Sequence, residues 1–381
     1  MKYLILTIIA LVMAFKSAQC QPNTNETQAT GPRHNVIQLA LLLDVSNSMD
    51  GLINQAKSEL WTIVNEVAKA NKNQYHTQLE IALYEYGRSN NEQTKGYIKK
   101  LLDYTKDLDT ISQVLFSLTT NGGDEYCGWV IQDALKELQW RNNDSIYRVI
   151  FIAGNEPFNQ GKISYQATCS LAKTKGIIVN TIHCGDSLTG ASTYWEQGAR
   201  LANGSYFFIN QNSTSYDIPT PYDSMIGVYN DSLNNTYWAY GSAGVAYKMN
   251  QATQDMNADK MSKSVKAKRA VSKTKSVYTN GKWDAVDKAK TDTAWVKHAK
   301  DEELPVELKG KTPVQRQLAL DSASQKRTYF SAQINNLNVQ REKYISEHKP
   351  VVKERSLGVA LIEAIHKQAG ALGFVFDEVQ N

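Results

Sequence analysis

The sequence predicts an α/β protein: a doubly wound, mostly parallel sheet with helices on both faces, followed by a smaller α-helical region. Apolar runs such as residues 36–43 (VIQLALLL) and 148–153 (RVIFIA) read as parallel strands buried on both faces. Between such runs the apolar residues recur at helical spacing, so strands and helices alternate, which is the signature of a doubly wound sheet. Beyond about residue 245 only helical periodicity remains.

The elements follow in order. After the first strand, Leu52, Ala56, Leu60, Ile63 and Val67 mark a helix over about 51–70. Residues 79–86 (LEIALYEY) form a second strand, and 97–102 a short edge strand. Ile111, Leu115 and Leu118 line one face of a helix over 108–118. Trp129, Ala134, Leu135 and Leu138 mark the next, after the Gly122-Gly123 turn. The central strand 148–153 precedes a helix over 163–175, closed by Gly176. A strand at 177–183, a helix at 192–202 closed by Asn203-Gly204, and a last strand at 205–209 complete the alternation.

A chain of 381 residues exceeds one ordinary domain of ~100–200 residues. The expected parts are a signal segment (1–20), a polar tether (21–34), the α/β domain (35–211), a connector (212–244) rich in Asn, Ser, Thr and Tyr, and the helical region (245–381). Hydrophobic residues at 42% and charged residues at 21% place the chain among globular proteins, not disordered ones. A net charge of +4 gives no argument for nucleic acid.

The N-terminus reads as an export signal: Lys2, then the apolar stretch 4–15, too short to span a bilayer comfortably. Two processing readings compete. In one, Ala18 and Cys20 are the small residues of a cleavage site and the cut falls after Cys20. In the other, Ser17-Ala18-Gln19-Cys20 resembles a loose lipobox, with Gln19 where a small residue is usual, and Cys20 carries the lipid of a bacterial lipoprotein. Either reading implies a periplasmic or cell-envelope protein, and the second a lipid anchor in the outer membrane. Cys127, Cys169 and Cys184 allow one disulfide and a free thiol, or three buried small hydrophobes. None has zinc-site spacing.

In a doubly wound sheet, ligands bind at the carboxyl ends of the strands. Asp44-Val45-Ser46-Asn47-Ser48 stands there, after the first strand. A carboxylate and two hydroxyls at alternate positions suit a hard cation: Mg²⁺, with Mn²⁺ or Ca²⁺ as alternatives. The competing reading makes Asp44 and Ser46 a simple cap for the next helix.

Three stretches carry a resemblance: LLLDVSNSM at 41–49, TTNGGDE at 119–125 and RVIFIAGNEPF at 148–158. Over residues 35–211 the chain resembles the von Willebrand factor type A domain, a Rossmann-like fold with a metal-ion-dependent adhesion site. The helical tail adds a resemblance to exported bacterial proteins of the same two-part build. The family implies a divalent metal whose coordination is completed by a protein partner. It implies no catalysis, and the sequence has no G-x-S-x-G, H-E-x-x-H, P-loop or G-x-G-x-x-G signature. The implied metal ligands are Asp44, Ser46, Ser48 and Asp124.

Two positions depart from the family pattern. Asp124 stands where a threonine is usual, and Gly154 where an aspartate is usual. Either Asp124 binds the metal directly, or Thr119 or Thr120 turns inward. Asn155 and Glu156 are candidates for the surrounding shell, whereas Glu125 reads as a solvated loop charge and His183 and Asp186 as rim residues. A structural envelope protein with a degenerate site, and a metal-dependent hydrolase using Glu156 or Asp124 as base, are the competing functions.

In the tail, Val245, Met249, Ala252 and Met256 predict a weakly apolar helix. The basic run 260–275 reads either as a solvated face or as a contact for an anionic surface. Phe330, Ile334, Leu337 and Tyr344 predict an amphipathic helix interrupted by Arg341, and Leu361, Ile365, Ala369 and Leu372 another. Such a helical unit packs on itself or back on the first domain.

Overall fold

The structure, a computed structural model, describes residues 35–73, 75–143, 146–212, 218–348 and 356–376. The expected signal segment, Cys20 and the tether lie outside the described residues.

Strand β1 (Asn35–Asp44) is the centre of the sheet, because its alternating residues are apolar on both faces. A short turn (Asn47–Met49) leads to α1 (Asp50–Val67). Then come β2 (Ala70–Lys72), β3 (Tyr75–Tyr86), β4 (Lys99–Thr105), α2 (Leu108–Ser117) and α3 (Cys127–Glu137). The second half runs β5 (Tyr147–Gly154), α4 (Tyr165–Thr174), β6 (Ile178–Cys184), α5 (Ser187–Ser192), α6 (Trp195–Leu201) and β7 (Tyr206–Ile209). The parallel order is β7-β6-β5-β1-β3, with β4 antiparallel on the edge of β3.

The predicted helix 192–202 is α6, and a separate short helix, α5, precedes it and ends at Ser192. Tyr194 has a positive φ of 73° between them, and the preceding Thr193 carbonyl accepts from Phe158 N–H at 2.9 Å instead of continuing the helix. Ile37, Leu39, Leu41 and Leu43 of β1 face α1 and α2, whereas Ala40 and Leu42 face α3 and α4.

The chain continues through α7 (Asp223–Asn234), α8 (Gly244–Met261), α9 (Lys263–Ser272), α10 (Ala285–Thr291), α11 (Trp295–His298), α12 (Pro313–His348) and α13 (Leu357–Ala371), ending in β8 (Val375–Phe376). The segment expected as a connector therefore contains a full helix, α7, whose Ile226 and Leu233 are buried in the main core. The tail packs back on the α/β part. Helix α13 lies on α1 and on β5, β6 and β7, and its Gln368 accepts from Tyr147 Oη at 2.6 Å and from Asn180 Nδ2 at 3.0 Å. Strand β8 pairs with β2.

Two expectations for the tail change. The stripe on α8 faces solvent: Val245, Met249 and Met256 are 64%, 65% and 56% exposed. The buried side of α8 is instead Gln251, Gln254, Asp255 and Ala258. The basic run is not wholly solvated. Arg269 and Lys273 are buried and paired, Arg269 with Asp109 and Asp255 at 2.8 and 2.5 Å, and Lys273 with Asp255 at 2.6 Å. Arg341 interrupts its stripe because its guanidinium meets the buried Asp223 carboxylate of α7 at 2.8 Å. No helix among the described residues is long and apolar enough to cross a membrane. The three cysteines Cys127, Cys169 and Cys184 are buried thiols.

Candidate metal centre

The site lies at the carboxyl edge of the sheet, where β1, β3 and β5 end together. Asp44 closes β1 and is fully buried. Its Oδ1 accepts from the backbone N–H of Ser46 at 2.8 Å, a local turn that only a short side-chain acceptor makes. Val45 donates its N–H to Tyr86 O at 3.0 Å, and Asn121 donates its N–H to Val45 O at 2.9 Å. These bonds tie the first loop to the end of β3 and to the double-glycine loop.

Glycines set how closely the loops approach. A Cβ on Gly123 would lie 2.8 Å from both Gly87 O and Ser89 N, so the double-glycine loop fits against the loop after β3 only without a side chain. At Gly87, with φ of 78°, a Cβ would lie 2.8 Å from Glu125 Cγ and 2.9 Å from Asp44 Oδ1. Gly87 is thus the floor on which two carboxyl groups meet.

One of them is Glu125, the residue that sequence pattern assigned to solvent. It is only 6% exposed. Asp44 Oδ2, Ser46 Oγ and Glu125 Oε2 are all buried without a hydrogen bond of normal length and angle. Burial is the main force raising the pKa of each carboxyl, and their mutual repulsion raises Glu125 further. Buried oxygens without donors call for an explanation, and a cation supplies one.

The other expected residues are placed as follows. Ser48 is exposed in the turn Asn47–Met49. Asp124 points outward and accepts from Tyr126 Oη at 2.9 Å. Thr119 Oγ1 accepts from Arg88 at 2.7 Å, and Thr120 Oγ1 donates to Asp50 Oδ1 at 2.5 Å, so neither hydroxyl is spent on Asp44. Asn155 brings its backbone N–H to Asp44, and its Oδ1 is buried without a partner. Glu156 is exposed and accepts from Gln160 at 3.3 Å. No side-chain cap joins Ser46 to the turn that follows, which weighs against a purely capping role.

Gly154 has a neighbour that sequence reading missed. A Cβ there would lie 2.5 Å from Tyr86 Oη and 3.0 Å from Asp44 Oδ2. Tyr86 is fully buried and donates its hydroxyl proton to Ala153 O at 3.0 Å. Its hydroxyl fills the space an aspartate side chain would need. His183, at the end of β6, is buried rather than on the rim, and burial lowers its pKa. Asp186 caps α5 by accepting from Thr189 N–H at 2.9 Å.

The oxygens gathered here, two carboxylates and a hydroxyl, fit a hard divalent cation. Among the described residues no three His, Cys, Asp or Glu side chains gather in ligating geometry, so this set depends on the serine and on further oxygen donors.

No protein-family model and no curated protein matches the sequence. Solved structures do show similarity. Proximal thread matrix protein 1 from the mussel byssus is 17% identical with a TM-score of 0.34, over 46% of this chain. This chain spans only 41% of that mussel protein, which has also been solved with a zinc-occupied MIDAS motif. BatB from Bacteroides thetaiotaomicron is 15% identical with a TM-score of 0.35, over 45% of this chain and 90% of BatB. The SpRpn10 VWA domain is 15% identical with a TM-score of 0.35, over 46% of this chain and 89% of that domain. The solved structures to which this chain is similar thus include von Willebrand factor A-type proteins.

Proposed function

We propose that this chain is a non-enzymatic binding protein that holds a divalent cation at the carboxyl edge of its sheet and presents it to a protein partner. The observation that carries the reading is the set of buried, unpartnered oxygens on Asp44 and Ser46 at the end of β1. Mg²⁺ is the first candidate, with Mn²⁺ and Ca²⁺ as alternatives, because the donors are all oxygens. The proposal includes an exported, cell-envelope setting, for which the support is the N-terminal sequence alone.

A second reading is a structural envelope protein with a residual site. It is favoured by Gly154, where Tyr86 fills the space of an expected carboxylate. Calorimetric titration separates the two. The wild type is expected to bind Mg²⁺ or Mn²⁺, and Asp44→Ala to lose that heat. A wild type that gives no heat at millimolar metal overturns the metal-centred reading and leaves the structural one.

A further inference from the structure

We infer that Glu125, not Asp124, supplies the second carboxylate to the cation, and that the resulting centre takes a neutral oxygen from its ligand in preference to a carboxylate. This rests on the metal-centred reading above and deepens it.

The geometry separates the two neighbours in sequence. Asp124 is exposed and occupied by the Tyr126 hydroxyl. Glu125 is buried, its Oε2 has no donor, and it shares the Gly87 floor with Asp44. Ser46 Oγ, also buried and unpartnered, belongs to the same group of oxygens. A cation here is therefore met by two carboxylates from the chain itself. Gly154 brings none, having no side chain, and Tyr86 Oη stands where one would have to go. Two negative ligands balance a doubly charged ion. A balanced centre pulls less on an incoming anion than one with a single carboxylate, so a carbonyl or hydroxyl oxygen competes better for the open position.

Mn²⁺ serves as probe, with free metal read by electron paramagnetic resonance in the full chain. Glu125→Gln keeps the size and shape of the side chain and is expected to fold; circular dichroism checks this. It should weaken Mn²⁺ binding about tenfold or more, while Asp124→Asn binds like the wild type. If the wild type itself does not bind, the metal-centred reading fails. If the wild type and Glu125→Gln bind equally, that reading stands and the assignment of Glu125 is overturned. Acetate is then titrated into the Mn²⁺-loaded proteins while water proton relaxation is followed. Acetate should displace metal-bound water in Glu125→Gln and leave the wild type unchanged at the same concentration. Equal displacement in both overturns the preference for a neutral ligand.

Discussion

Strand β1 and helix α8 are buried by opposite means. Every residue of β1 from Val36 on is buried, and apart from Gln38 and Asp44 all of them are apolar, so its side chains are held by water exclusion while its backbone is held by the ladders to β3 and β5. Helix α8 turns Val245, Met249 and Met256 outward and buries Gln251, Gln254 and Asp255. These side chains are held by directed bonds: Gln254 Oε1 accepts from Ser112 Oγ at 2.9 Å, Gln251 Nε2 donates to Tyr278 Oη at 2.9 Å, and Asp255 takes Arg269 and Lys273. The comparison teaches that periodicity locates a helix but not its buried face when a polar network competes with the apolar stripe.

The sharpest way to break this contrast is Asp255→Ala. It leaves Arg269 and Lys273 as buried cations short of a partner, which costs about 3–5 kcal/mol. Urea denaturation should show the loss; a change below that of a core truncation in the sheet would mean the tail is held chiefly by its apolar contacts. The pair also fixes an acid dependence. Burial pushes the Asp255 pKa up, but Lys273 and Arg269 outweigh it and hold the carboxyl below the usual range. A depressed folded-state pKa stabilises above the unfolded value of about 3.9 and is lost as pH falls through the folded value. Stability should therefore decline on acidification below about pH 5, more steeply in the wild type than in Asp255→Asn.

In the sheet, Leu42→Ala removes a fully buried side chain of β1 and should cost about 3 kcal/mol, read by the same denaturation. The smallest effect is expected on α8. Replacing Val245, Met249 and Met256 by Gln should change stability by no more than about 0.5 kcal/mol at each site, because these side chains are largely exposed. A loss of several kcal/mol would show that the stripe is covered in the folded protein.

The site divides in the same manner. Asp44 and Ser46 were legible in the sequence because a strand of buried apolar residues ends on them, and strand ends place side chains at a known edge of the sheet. Asp124 and Glu125 were not separable. They are adjacent, equally acidic and on a loop, where no period of two or 3.6 says which one turns inward. The nearest available signal was Gly87 with Gly122-Gly123, glycines at which a close approach is feasible, but what approaches them is far along the chain.

The sequence by itself determined the alternation of strands and helices, the place of Asp44 at the carboxyl edge, and the tail helices α8, α12 and α13, though not α7, α10 and α11, because hydrophobic periodicity is a local property of the chain. Only the tertiary structure decided that Glu125 and not Asp124 faces Asp44, that Tyr86 fills the space beside Gly154, and that Arg269, Lys273 and Arg341 are interior ion-pair partners. Each of these depends on a carboxylate, hydroxyl or glycine distant in sequence. Burial of a polar group follows from the partner it finds, and the chain holds that partner at no fixed spacing.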